Sequence, residues 1–280
     1  MSQRNIQVIV IASSIILFSV LYFGFDNKPS NRSEVDKTRA LKAEGTTDTD
    51  KIIEAAKAAI SKDELILITE LEAALPLQLT DSLRGETYKE LSREWNKLQQ
   101  FTVGGIYAKK VAESLKTEAA WSIAGTTFGI AMKNEQNPEN HQYAIEEATN
   151  AFQKALEINP DETQHQINLA LTYVETAQPM QGIMMLRELS EKEPKNTSVL
   201  MALGQLSIRS GQYDKAVERY QQVIEIEPNN VKGYYALAQV YQITGKTQEA
   251  INTYQKCSTL SNDAILRSDI EQIIKKLKSN

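Results

Sequence analysis

Cysteine is nearly absent: Cys257 is the one thiol in 280 residues. That excludes an internal disulfide framework and any cysteine-rich metal site. Helix breakers are scarce as well, with 12 glycines and 7 prolines, where average usage would give about 20 and about 14. Such a chain is read as mostly α-helical. There is no basic excess. Lys and Arg number 31 against 36 acids, a net charge of −5, which argues against a nucleic-acid partner. Histidine is also rare. His141 and His165 stand far apart, in neither an H-x₃-H nor an HExxH spacing, and read as surface residues.

Long apolar runs are missing except at one place. Ile6–Phe25 (IQVIVIASSIILFSVLYFGF) has no charge over twenty residues. As a helix it would be about 30 Å long, the thickness of the hydrocarbon core, with Tyr22 suited to the interface. The rival is a cleaved signal peptide. Ala12-Ser13-Ser14 would fit a cleavage site, but the apolar stretch before it is too short, and no small pair follows Ser19. The expectation is a single-pass anchor in the lipid bilayer.

Its orientation is a balance. Lys28, Arg32, Lys37 and Arg39 follow the span, and counted alone they place the main domain in the cytoplasm. A short tail before an apolar segment instead resembles an uncleaved export signal. The reading leans to an extracytoplasmic (periplasmic) main domain. The chain is therefore divided into 1–25 (tail and transmembrane helix), 26–48 (flexible tether), 49–117 (helices with a degenerate repeat), 118–264 (repeats) and 265–280 (capping helix).

The main signal is a period of 34 residues. Pro160, Pro194 and Pro228 share it, as do Leu169, Leu203 and Leu237. So do Gly182, Ala216 and Ala250, and the pair Gly211 and Gly245. Each copy reads as two helices: a glycine turn between them, a proline stop after them, and small residues where they touch. One hairpin cannot bury its apolar face alone, so copies must stack. The expected fold is all-α, a solenoid of stacked antiparallel helix pairs behind the transmembrane helix. Weaker copies run upstream. Trp121, Ala124, Gly125, Phe128, Ala148, Phe152, Ala155 and Pro160 form one, and the polar stretch Asn134–Gln142 is expected to loop out of it. Tyr88, Leu91, Trp95, Gly104, Ala108 and Val111 trace another over 85–117. Asp263–Lys278 bears an apolar stripe of Leu266, Ile270, Ile273, Ile274 and Leu277, as an end cap should.

These residues resemble the tetratricopeptide repeat, whose pattern is W-x₂-L-G-x₂-Y, then A-x₃-F, then P. The clearest copies are 163–196, 197–230 and 231–264; in the third, Tyr234, Leu237, Ala238, Tyr241, Ala250 and Tyr254 hold the signature places. The resemblance implies a concave face, lined by the first helix of each pair, that binds peptide segments or helices of other proteins. Its exposed places would be Gln164, Ile167 and Leu171; Met201, Gln205 and Arg209; and Lys232, Tyr235 and Gln239. The relatives that clamp acidic chaperone tails use lysines, asparagines and an arginine. Here the matching places are Ile167, Leu171, Ala202, Lys232 and Ala236, of which only Lys232 fits.

No catalytic constellation emerges. Thr244-Gly245-Lys246-Thr247 resembles the end of a P-loop, yet Val240 stands where its first glycine belongs. No G-x-S-x-G elbow occurs, and Cys257 aligns with the apolar Val223 and Leu189. The expectation is a membrane-tethered, non-enzymatic interaction scaffold with no metal, cofactor or small-molecule substrate. It is similar to bacterial envelope proteins that assist assembly or folding of others. The alternatives are an enzyme subunit with an unrecognised site and a structural oligomerisation module.

Overall fold

The computed structural model describes residues 49–77 and 80–279. The anchor and tether expected at 1–48 lie outside them. Among the described residues there are thirteen α-helices and no strand, and no helix is long and apolar enough to cross a membrane.

The helices follow one another as pairs. The first is α1 (Thr49–Ala59) with α2 (Lys62–Ala74), closed by a 3₁₀ turn at Leu75–Leu77. Ser61 and Glu64 form a capping box at the start of α2. Next come α3 (Asp81–Lys97) with α4 (Phe101–Leu115), and α5 (Glu118–Asn134) with α6 (Pro138–Ile158). The three regular pairs are α7 (Thr163–Val174) with α8 (Pro179–Lys192), α9 (Thr197–Arg209) with α10 (Tyr213–Ile226), and α11 (Val231–Ile243) with α12 (Thr247–Leu260). The final helix is α13 (Ala264–Ser279), whose Ile270 is fully buried against the α11–α12 cluster.

One expectation changes. The polar stretch Asn134–Gln142 does not loop out as a whole; the link is only residues 135–137. Asn137 accepts from the backbone N–H of Glu139 and Asn140, and Pro138 fills the first helical position. An Asn cap followed by proline starts a helix early, so the insertion lengthens α5 and α6 to 17 and 21 residues.

Close contact within the pairs is made by small residues facing rings. A Cβ on Gly204 would stand 2.5 Å from Cε1 of Tyr220, and one on Gly125 would stand 2.7 Å from Cε1 of Phe152. The joints between pairs are polar and repeat with the sequence. Thr163 donates to Glu193 at 2.7 Å and Asn196 donates to the same carboxylate at 2.7 Å. One period later, Thr197 and Asn230 donate to Glu227 at 2.7 and 2.6 Å. Each glutamate thus ties the start of one pair, the end of that pair and the cap of the next. These hydrogen bonds hold both carboxyls below the usual carboxylate pKa, Thr163 and Thr197 having the larger effect.

Candidate functional site

First helices of successive pairs lie side by side, so equivalent positions on α7, α9 and α11 form parallel rows. Between them runs a groove of about 900 Å³. Of the expected contact residues, Gln164, Ile167, Leu171, Met201, Gln205, Lys232, Tyr235 and Gln239 all line it. Ile167 is only 3% exposed; it forms wall rather than an open contact. Arg209 is not among the lining residues. It makes a two-pronged pair with Glu175, one repeat away, which raises its pKa further.

The groove floor comes from a second helix. Tyr220 of α10 lies between α9 and α11, and burial pushes its hydroxyl up to about 12. Tyr235 meets Tyr254 edge-on at 5.7 Å, which fixes the direction of its half-buried ring. Tyr254 in turn donates to Gln242 at 2.9 Å. Gln205 and Gln239, one repeat apart, both present exposed amides. The Gln164 amide is engaged with Asn168 at 3.0 Å. Of the two charged groups in the lining, Glu227 is already held by Thr197 and Asn230. Lys232 is exposed and has no ion pair among the described residues.

Sequence reasoning missed several lining residues, including Ser198, Ile208, Tyr220 and Leu266. Ser198 was within reach, since it stands one period from Gln164 and from Lys232. Leu266 lies on α13, and only the packing of the cap onto the last pair brings it to the groove's end.

Other candidates for chemistry fall elsewhere. Cys257 is fully buried, its Sγ 3.4 Å from the Val231 carbonyl, and burial raises its pKa. His165 departs from the surface reading. It is 6% exposed, with Nε2 2.7 Å from Glu118 Oε1, because the start of α7 packs on the first turn of α5. Among the described residues, no three His, Cys, Asp or Glu side chains gather as a metal site.

Two family models match the chain. One, described as the TPR domain of cytochrome c-type biogenesis protein H, covers residues 139–230. The other, a tetratricopeptide repeat model, covers 220–252. Together they match residues 139–252 as tetratricopeptide repeats.

One solved tetratricopeptide repeat protein shares the fold, and others are similar over part of the chain. One from Parabacteroides merdae ATCC 43184 is 17% identical, with a TM-score of 0.52 over 82% of this chain and 88% of that one. YrrB, described as a TPR protein with an unusual peptide-binding site, is 17% identical with a TM-score of 0.40, over 66% of this chain and 91% of its own. MamA from Desulfovibrio magneticus RS-1 is 15% identical with a TM-score of 0.41, over 63% and 94%. No curated protein matches the sequence. The repeats therefore rest on the two models and on the periodic geometry.

Proposed function

We propose that the chain is a protein-interaction scaffold, held at a membrane by Ile6–Phe25 and reaching its partner through the tether at 26–48. The partner's peptide segment, extended or helical, docks in the groove between α7, α9 and α11. The supporting observation is that eight side chains spaced by one repeat line a single groove with apolar, amide and aromatic character. Met201, Ile208 and Leu171 offer apolar contact, while Gln205 and Gln239 offer paired donors and acceptors to a peptide backbone. Anchoring confines the search for a partner to the membrane plane and raises its effective concentration.

Assembly or folding of other envelope proteins is the task this reading favours. It rests on the export-like N-terminus and on the family model named for cytochrome c-type biogenesis. The main domain then stands outside the cytoplasm. Protease added to spheroplasts should degrade it, and a domain resistant until lysis would overturn that topology.

The groove itself is tested by pull-down from solubilised membranes. The intact chain and the double variant Met201→Ala, Tyr235→Ala are compared. The variant should lose the partners that the intact chain recovers. Recovery of the same set by both sinks the reading.

A further inference from the structure

The degenerate pair α3–α4 is a repeat whose groove chemistry has been inverted. Residues 85–117 fall onto 197–229 without a gap, and the inner helix ends agree: Lys97 matches Arg209, and Phe101 matches Tyr213. In that register Lys89 stands for Met201 and Arg93 for Gln205. Ala108 stands for the floor ring Tyr220, and Leu115 for the acid Glu227. So the first-helix positions have gained two cations, and the second-helix positions have lost their aromatic and their carboxylate.

The missing ring leaves space. A cavity of about 500 Å³ opens between α3, α4 and α5, with Lys89, Arg93, Ala108, Val111, Leu115 and Ile123 in its wall. It is separate from the α7–α11 groove, with no lining residue in common. Leu115 and Ile123 are 45% and 62% exposed, so the apolar wall is open to a visitor. Lys89 and Arg93 are paired at 2.6 Å with Glu86 and Glu90, but both pairs are exposed and one turn apart on the same helix. Such pairs are weak and can be exchanged for a ligand's carboxylate. Neither Glu86 nor Glu90 lines the cavity. What faces inward is a mainly apolar pocket, with Ser92, Asn96, Thr117 and Thr127 also in its lining, and a lip of Lys89 and Arg93.

We propose that this cavity is a second docking site, for an acidic peptide segment of a partner protein that inserts a bulky apolar side chain over Ala108 while its carboxylates meet Lys89 and Arg93. The site stands independently of the α7–α11 groove, and a partner of two segments could occupy both at once.

Fluorescence anisotropy on the full-length chain tests it. The probe is a fluorescein-labelled peptide in which Phe and Leu alternate with Asp and Glu. A second peptide replaces each acid with Lys. The acidic peptide should bind about tenfold more tightly than the basic one, the effect of two modest charge contacts. Lys89→Glu with Arg93→Glu, which leaves the core untouched, should remove that preference. Ser92→Gly with Ala108→Tyr rebuilds the Gly204–Tyr220 arrangement, fills the pocket and should abolish binding. The variant Met201→Ala, Tyr235→Ala should bind the acidic peptide as the intact chain does, which separates failure here from failure of the groove. Equal binding of the two peptides overturns the proposal, as does binding that survives the charge reversal. Charge-dependent sedimentation with phosphatidylglycerol vesicles, without peptide binding, overturns it in favour of a lipid surface.

Discussion

Gln99 and Gly211 occupy the same turn in two helix pairs, and both have left-handed backbone, with φ of 59° and 71°. The hydrogen bonds around them agree. Gln99 N–H donates to Asn96 and Gln100 N–H to Trp95, at 3.1 and 2.9 Å. Gly211 N–H donates to Ile208 and Gln212 N–H to Ser207, at 3.0 and 2.8 Å. Gly245 repeats the pattern with φ 72°. The turn has been kept where its glycine has been lost.

Gln99→Gly should therefore stabilise the chain. Left-handed backbone costs a residue with a Cβ about 1–2 kcal/mol, partly offset by the extra freedom glycine has when unfolded. The net gain should be about 0.5–1 kcal/mol. Urea denaturation followed by circular dichroism would read it, and an unchanged or lower midpoint would refute it.

That position also explains what the sequence hid. The regular pairs were legible because their proline, glycine and aromatic markers recur every 34 residues. The pair at 85–117 could be traced but not secured, since Gln99 erases the turn glycine and Ala108 the second-helix ring. Backbone geometry is fixed by the stacking neighbours, so it survives losses that blank the pattern. Eight of the nine groove residues expected from the tetratricopeptide resemblance line the groove. Arg209 is the exception: it is not among the lining residues and instead pairs with Glu175, the residue at its own place one repeat earlier. His165 was misread for a related reason: its carboxylate partner Glu118 is 47 positions earlier, beyond any local pattern.

Gly204→Ala should destabilise the α9–α10 pair. A new Cβ would press on the Tyr220 ring, which is only 2% exposed and cannot swing into solvent. Alanine's better helix propensity recovers up to about 1 kcal/mol, against about 1–3 kcal/mol for overpacking. The net loss should be about 1 kcal/mol. The repeat before it holds Ala170 and Leu186 at these two places, so adding Tyr220→Leu should recover part of the loss. A double variant less stable than the sum of both single changes would count against this contact.

The Cys257 thiol should stay silent in the folded chain. It is fully buried and its pKa is raised, so the thiolate is both scarce and out of reach. Ellman's reagent should label it only in denaturant, in step with loss of helix. Prompt labelling under native conditions would show that α11 and α12 open locally.

Acid should loosen the joints between repeats before it affects the interior of each pair. Glu193 and Glu227 have pKa values lowered from 4.5 by the hydrogen bonds that clip successive pairs together. A carboxyl depressed on folding contributes stability that is present above its unfolded pKa and lost as pH falls through the folded one. The contribution is therefore intact at pH 7 and fades below about 4.5. Glu193→Gln with Glu227→Gln should lower the urea midpoint at pH 7, because a neutral amide accepts more weakly from Thr163, Thr197 and the two asparagines. As pH falls through their lowered folded values the native carboxyls are themselves protonated, so the difference between variant and intact chain should narrow with acid. If the gap stays as wide throughout the acid range as at pH 7, the carboxylates are not what joins one repeat to the next.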